Sequence, residues 1–253
     1  MRIIALTNPF AGDRYKIQIQ QMIDSGADVT IVNIAGVRLT LFRIFRTIKL
    51  IEKNGFKWFL NRRKNFKEIR LYSNYSLKIE VEVLKQLNIT PNYEIHHNID
   101  GFGKKLNQLL KSEMPDFIFQ SGIGIVPSSV VNLGIPILNF HPGVLPGIRG
   151  VSPLFWADFY KKMEWRGTTL HYIDNGIDTG EPIIRRKVPS NIVKSHYAAY
   201  FYDVVKAECF IIDKLIREGI DGLTKYDEGG DIKSIYKSYY TKSDYESLYG
   251  PSI

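Results

Sequence analysis

Two stretches of this chain, far apart in sequence, carry the residue types needed to move an acyl group onto an amine. Asn139 and His141 stand two residues apart, and Asp178 follows much later in an Asp-Thr-Gly triplet. An amide N–H such as that of Asn139 can stabilise the oxyanion that forms when an amine attacks a carbonyl carbon. An imidazole can carry protons near neutral pH. A carboxylate can orient that ring or hold a water that relays the proton.

The elements that would position these groups can be inferred from the local sequence. If residues 135–140 form a strand, Asn139 and His141 point to the same side of it, because side chains alternate along a strand. Pro142 and Gly143 then stop the strand, which places both polar groups at its carboxyl end. Ligands bind at that end of the strands in open α/β sheets.

The same stretches resemble the signature of the folate-dependent formyltransferases, which include glycinamide ribonucleotide, methionyl-tRNA and sugar N-formyltransferases. The likeness is specific, because two separated motifs occur in the right order at a plausible distance. It is good over residues 114–190 and general over roughly the first 110. It is carried by residues 139–150, by Pro153, Trp156 and Ala157, by residues 167–171 and by residues 174–184.

The resemblance implies an enzyme that takes a formyl group from N10-formyltetrahydrofolate and transfers it to a primary amine. It implies Asn139, His141 and Asp178 as the catalytic residues. The loop at 121–127 would pack on the pterin ring of the donor, although a simple strand-to-helix turn explains that loop equally well when it is taken alone. The donor-binding residues implied are Gly122, Ile123, Gly124, Ile125, Val126, Asn175 and Gly176.

The three branches of the family take different acceptors. Methionyl-tRNA enzymes usually carry an extra β-barrel domain, for which too few residues follow Arg217, and nothing there alternates as strands do. Glycinamide ribonucleotide enzymes usually have a different first loop. We therefore expect a nucleotide-linked amino sugar, such as a 4-amino-4,6-dideoxyhexose for surface polysaccharide of the lipopolysaccharide O-antigen kind. The predicted acceptor contacts are Asn8, Arg14, His97, Arg149 and Gly150.

Other functions stay open at this point. A formyltransferase of this family could act on glycinamide ribonucleotide, on methionyl-tRNA or on a lipid-linked amine. A different class is a non-catalytic folate- or nucleotide-binding protein, against which the intact Asn139, His141 and Asp178 argue.

The order of elements predicts an α/β fold with a Rossmann-like, open, mostly parallel sheet, flanking helices and a small C-terminal extension. No Gly-x-Gly-x-x-Gly follows the first strand, so the chain lacks a dinucleotide fingerprint. We expect a catalytic domain at 1–190 and, packed on it, a helix with a Tyr-rich extension at 191–253. Further strands are predicted at 3–7, 28–34, 92–98 and 117–120, and helices at 15–25, 77–87, 102–111 and 195–217.

Composition restricts the class of protein. The length of 253 residues suits one large domain, or one with a small appendage. The single cysteine, Cys209, excludes an intramolecular disulfide and a cysteine-rich zinc site. The five histidines show no metal-ligand spacing, so we expect no metal. The first residues enter a strand directly, without the apolar region of a signal peptide, and no apolar run approaches a membrane span. We expect a cytoplasmic protein.

The net charge of +8 is concentrated in one segment. Residues 36–70 contain eleven Lys or Arg and two Glu, a local charge of +9 that leaves −1 for the rest. Apolar residues recur at helical spacing from 37 to about 60. This basic segment is either a helix that covers the sheet or a surface that contacts anionic lipid or a charged substrate. The charge of this segment leaves a nucleic-acid binder as a third possibility, but no RNA-binding motif is visible and we expect no nucleic-acid partner. The tyrosines of the tail suit either the acceptor site or a homodimer interface.

Overall fold

The structure is a computed structural model that describes residues 1–9, 11–35, 85–188, 196–230, 232–237, 243–244 and 247, without the side chains of 196–201. The basic segment 36–70 and most of the predicted helix at 77–87 lie outside the described residues. Lipid contact by that segment therefore stays a prediction.

The described elements alternate between strands and helices along most of the chain. The strands are β1 (Arg2–Thr7), β2 (Asp28–Ala35), β3 (His97–Asp100), β4 (Phe117–Ser121), β5 (Ile137–His141), β6 (Ile148–Gly150), β7 (Gly167–Tyr172), β8 (Pro182–Lys187) and β9 (Ile235–Lys237). The helices are α1 (Asp13–Asp24), α2 (Lys104–Glu113), α3 (Ser128–Val131), α4 (Pro153–Phe159) and α5 (His196–Leu223). Short 3₁₀ turns lie at Lys85–Leu87, Met163–Trp165 and Thr224–Tyr226.

Seven of these strands form one open sheet in the order β3-β2-β1-β4-β5-β7-β8. The strands from β3 to β5 in that order are parallel, and β7 and β8 continue the sheet antiparallel. The predicted Rossmann-like, mostly parallel sheet with flanking helices is confirmed. Because β4 and β5 are parallel neighbours, the loop after β4 and the end of β5 meet at the same edge of the sheet.

Two apolar layers hold β5 in place, one on each face of the sheet. Phe140 packs with residues of α1 and α5, and its ring lies 5.8 Å from that of Phe119 in an edge-on contact. Ile137 packs on the opposite face, among residues of α2 and α3. Each such fully buried side chain contributes about 1.5–3 kcal/mol. Asn139 and His141 share the face of Ile137, because side chains alternate along a strand.

The strand predicted at 92–98 begins only at His97 in the structure. The backbone N–H of Ile31 donates to Nδ1 of His96 at 3.0 Å, so the imidazole takes the place of a backbone carbonyl beside β2. Regular pairing therefore starts one residue later, where Val32 faces His97.

The region after Arg217 contains a strand that the sequence did not predict. This strand, β9, pairs in parallel with β6 as a separate two-stranded sheet. Its three residues are too short for an alternation of apolar and polar side chains to be recognised. Tyr236 lies at its centre and is 51% exposed.

Candidate active site

The end of β5 brings two of the predicted catalytic side chains to one place. In the antiparallel pairing of β5 with β7, Asn139 faces His171 and His141 faces Thr169. Directly opposed residues project to the same side of a sheet. The turn after β5 is fixed by Thr169, whose hydroxyl donates to the Gly143 carbonyl at 2.7 Å. Asn139, His141 and His171 therefore share one face at the end of the strand.

Asp178 reaches the same place from the loop between β7 and β8. Its backbone adopts a left-handed conformation with φ 51°, which aspartate tolerates better than most residues. The Gly150 N–H donates to Asp178 Oδ2 at 2.8 Å and fixes the carboxylate. The loop folds back on β7 so closely that a Cβ on Gly180 would lie 1.8 Å from the Tyr172 carbonyl oxygen. Glycine at position 180 thus allows the approach of Asp178.

His141 is buried with two different neighbours at its two ring nitrogens. Nε2 lies 2.8 Å from the Ile148 carbonyl oxygen and donates to it, while Nδ1 lies 3.5 Å from Asp178 Oδ2. The pKa of His141 is lowered to about 4, mainly by burial and to a smaller extent by His171 and Arg14, although Asp178 acts in the opposite direction. At neutral pH the ring is therefore uncharged with a lone pair on Nδ1. The carboxylate beside Nδ1 can stabilise the imidazolium once a proton arrives.

His171 fixes the orientation of the Asn139 amide. Nδ1 of His171 lies 2.7 Å from the Tyr172 carbonyl and donates to it, which leaves Nε2 as an acceptor. The Asn139 amide nitrogen donates to that Nε2 at 3.3 Å. Burial lowers the pKa of His171, so the ring stays neutral and keeps this acceptor. An amide carries two N–H groups, and the second one of Asn139 is left for a bound carbonyl oxygen.

These side chains open into a cavity of about 560 Å³, a size typical of small-molecule sites. Its rim carries two apolar side chains, Ile125 from the loop after β4 and Ile177 beside Asp178. They are 76% and 44% exposed, which is unusual for isoleucine and marks them as candidate ligand contacts. Tyr236 of β9 lies on the wall.

The predicted donor-binding residues lie in two loops, and only some reach the cavity. Gly124, Ile125, Val126 and Gly176 line it. The other three, Gly122, Ile123 and Asn175, lie in the same two loops without forming its wall. Gly122 has φ +83°, and a Cβ there would lie 2.9 Å from the ring of Tyr15.

The predicted acceptor contacts are scattered over the molecule. Gly150 and Arg14 line the cavity, but the guanidinium of Arg14 is held by a carboxylate of α5. Asn8 donates its amide to a carbonyl of the loop after β4. His97 begins β3, at the far edge of the sheet, so the structure does not bring it to the site. Arg149 lies on β6, and its buried Nε has no hydrogen-bond partner among the described residues.

Sequence reasoning missed two side chains of this site. His171 belongs to the motif at 167–171, but only the β5–β7 register shows that it contacts Asn139. Tyr236 was one of several tyrosines in the C-terminal extension, and no local signal distinguished it from the others. In the structure, β9 of this extension pairs with β6.

Within the described ranges, no group of three His, Cys, Asp or Glu side chains is arranged to hold a metal ion. Also within them, every helix is too short or too polar to cross a membrane.

The sequence around this site matches a known protein family. The formyl transferase profile matches residues 73–200, about half of the chain. The chain belongs to this family. A methionyl-tRNA formyltransferase from Clostridioides difficile (strain 630) is 29% identical over 113 residues, which are 44% of this chain and 36% of that relative. The match thus spans only about a third of that relative's length.

Solved structures share the fold at low sequence identity. A sugar N-formyltransferase from Shewanella sp FDAARGOS_354 superposes with a TM-score of 0.55 at 17% identity, over 98% of this chain and 79% of that one. A phosphoribosylglycinamide formyltransferase from Anaplasma phagocytophilum gives 0.52 at 13% identity, over 95% of this chain and 99% of that one. At such identities the likeness establishes the formyltransferase fold alone.

Proposed function

We propose that the protein transfers a formyl group from N10-formyltetrahydrofolate to the primary amine of a nucleotide-linked amino sugar. The observation that carries the reaction is the meeting of Asn139, His141 and Asp178 at one cavity, in a chain of the formyl transferase family. These three side chains are the predicted catalytic residues.

The cavity suits a flat donor with an apolar face. Ile125 and Ile177 would contact the ring system, and the position of a Cβ on Gly124 has no atom within 4 Å, so a ring can approach its backbone. Gln120 fixes this loop by donating to the Gly124 carbonyl at 2.8 Å. N10-formyltetrahydrofolate supplies a formyl group bound to nitrogen, at the oxidation level that the product needs.

The residues of the chain would act in sequence on the acceptor amine. The free N–H of Asn139 stabilises the oxyanion that forms as the amine attacks the formyl carbon, a contribution of about 3–4 kcal/mol. His141 accepts the proton of the attacking nitrogen on Nδ1, because that nitrogen holds a lone pair at neutral pH. Asp178, 3.5 Å away, stabilises the imidazolium until its proton passes to the leaving nitrogen.

The acceptor is proposed from the small sheet of β6 and β9, whose Gly150 and Tyr236 line the cavity. Tyr236 of β9 and Arg149 of β6 face each other in register, so they share a side of the small sheet. An aromatic ring can stack on a nucleobase, and a guanidinium can bind a diphosphate. A sugar N-formyltransferase is among the solved structures that share this fold, so the fold accommodates such an acceptor. We propose a 4-amino-4,6-dideoxyhexose on a nucleoside diphosphate.

The test is formylation of defined amines by the purified protein. The protein is incubated with N10-formyltetrahydrofolate and, separately, with nucleotide-linked 4-amino-4,6-dideoxyhexoses, glycinamide ribonucleotide and methionyl-tRNA. Mass spectrometry then detects one added formyl group. His141→Gln should abolish product, while His96→Gln, an exposed histidine away from the cavity, should retain it.

Each outcome decides a different part of the proposal. A formylated sugar that depends on His141 supports both reaction and acceptor. Formyl on glycinamide ribonucleotide or methionyl-tRNA keeps the reaction and overturns the acceptor. If no amine is formylated although the donor binds, formyl transfer to these acceptors is refuted and a non-catalytic binding protein is favoured.

A further inference from the structure

A buried ion pair lies behind the catalytic strand. Arg14 of α1 and Glu208 of α5 meet with side chains that are 8% and 0% exposed. Glu208 accepts from Arg14 Nε at 2.9 Å, from Gln18 Nε2 at 2.7 Å and from the Thr168 hydroxyl at 2.9 Å. Burying two charges costs several kcal/mol per ion, and full hydrogen bonding mainly offsets that cost. Stability alone is therefore a weak reason for this arrangement.

The ion pair is bonded to the backbone at the end of β5. Arg14 Nη2 donates to the Phe140 carbonyl at 3.1 Å. The Thr168 hydroxyl, while bonded to Glu208, lies 3.2 Å from the His141 carbonyl oxygen. The Phe140 carbonyl belongs to the peptide that joins Phe140 to His141, and the His141 carbonyl belongs to the next peptide. Both therefore lie at the end of the strand that carries Asn139 and His141.

Arg14 takes the place of a strand partner at the end of β5, where β4 no longer pairs with it. The pairing of β4 with β5 extends only as far as Phe119 and Leu138. The Pro136 carbonyl accepts from β4, and carbonyls alternate in direction along a strand, so the Phe140 carbonyl points to the same side. Past the end of the β4 pairing, the guanidinium of Arg14 bonds that carbonyl in place of a strand.

We propose that Glu208 is a positioning residue that, through Arg14 and Thr168, fixes the end of β5 and so aims Asn139 and His141 into the cavity. The role rests on the proposed formyl transfer, since those two side chains perform it. A misplacement of about 1 Å at a catalytic group can cost about 100-fold in rate. The helix that follows the catalytic domain in sequence thereby becomes part of the catalytic machinery.

Glu208→Gln tests the proposal with almost no change in side-chain shape. Oε1 of Gln18 is buried without a hydrogen-bond partner among the described residues, while its Nε2 donates to Glu208. A flip of the Gln18 amide exchanges these two atoms, so that Oε1 accepts from the new amide N–H. The shape and most bonds are kept, and the negative charge that orders Arg14 is removed.

Asp227→Asn is the matched control. Asp227 accepts from Arg185 Nε at 3.0 Å and Nη2 at 2.6 Å, a two-bond ion pair like that of Glu208 and Arg14. It lies against β8, which is separated from β5 by β7 in the sheet. Loss of its charge should lower the melting temperature without affecting the catalytic residues.

The experiment combines kinetics with a readout that needs no turnover. With N10-formyltetrahydrofolate and a nucleotide-linked 4-amino-4,6-dideoxyhexose, Glu208→Gln should lower kcat roughly 10- to 100-fold and leave both KM values within about twofold. In ¹³C-histidine spectra, the His141 resonance should shift and its titration midpoint should move to lower pH. His141 is faced by Asp178, His171 and Arg14, and Arg14 would then act without its counter-charge.

Two results would overturn the proposal. One is a folded Glu208→Gln protein with unchanged kcat and an unchanged His141 resonance, which would reduce the ion pair to a structural one. The other is an equal effect of Asp227→Asn on both readouts. If the wild-type protein formylates no sugar, the proposed function fails, and the His141 resonance alone decides whether Glu208 positions the strand.

Discussion

The burial of His141 leads to a prediction about pH. The pKa of His141 lies at about 4 instead of 6.5. The largest cause is burial, which penalises the charged ring, and Asp178 acts against it. If His141 must be neutral to accept the proton of the amine, the acid limb of kcat/KM should fall with a midpoint close to pH 4. Asp178→Asn removes the group that raises the pKa, so the limb should move to still lower pH as turnover drops.

The lowered pKa of His141 also predicts how the free energy of unfolding changes with pH. A pKa of about 4 against 6.5 in the unfolded chain corresponds to about 3 kcal/mol. As the pH falls, the unfolded chain takes up the proton first, because its pKa is the higher one. The free energy of unfolding therefore keeps this contribution above about pH 6.5 and loses it progressively towards pH 4. Between pH 7 and 4.5 the loss should be about 2 kcal/mol.

Urea unfolding of the wild type and of His141→Gln at these two pH values measures the effect. The variant should lose about 2 kcal/mol less on acidification, because glutamine does not titrate. The ¹³C-histidine resonance that disappears in the variant should titrate near pH 4 in the wild type. A midpoint at 6.5 or above, together with an equal pH dependence of the two proteins, would refute the reasoning from burial.

Three further predictions concern neighbouring residues. Asn139→Ala should lower kcat by about 10²–10³-fold while circular dichroism stays unchanged, because the oxyanion loses its donor; a smaller loss than tenfold would contradict that role. His171→Phe should lower kcat roughly tenfold at constant donor KM, since the Asn139 amide is no longer oriented; an effect on KM alone would place His171 in donor binding. Gly122→Ala should destabilise by about 1–3 kcal/mol in urea unfolding, more than Gly26→Ala, because both have positive φ but only Gly122 faces a ring, that of Tyr15.

Local patterns were sufficient for the parts of the fold that depend on local geometry. Alternation along one strand placed Asn139 and His141 on the same side, and the structure agrees. Pro142 and Gly143 stop the strand, and from them the sequence predicted the end of β5 to within one residue. Apolar periodicity found β1, β2, β4 and the helices around them, since each buries a continuous apolar face.

The parts of the fold and of the site that the sequence did not predict depend on contacts between residues that are distant in sequence. The partner of Asn139 is His171, which a register across two strands selects, and a single sequence carries no measure of register. Glu208 lies in an apolar helical stretch where a charge has no local explanation until Arg14 is seen beside it. His96 shortens β3 through a side-chain bond to β2, a substitution of imidazole for carbonyl that propensity does not anticipate.

The pairing of β9 with β6 has a consequence for the order in which the protein matures. The Gly150 N–H holds Asp178, and the same residue is packed so tightly on β9 that a Cβ there would lie 2.0 Å from the Lys237 carbonyl oxygen. A ribosome releases β9 long after the reacting groups have emerged. A nascent chain, or one clipped before residue 235, would hold those groups with the Tyr236 side of the cavity still open to water. The wall of the cavity is therefore complete only after β9 has been synthesised.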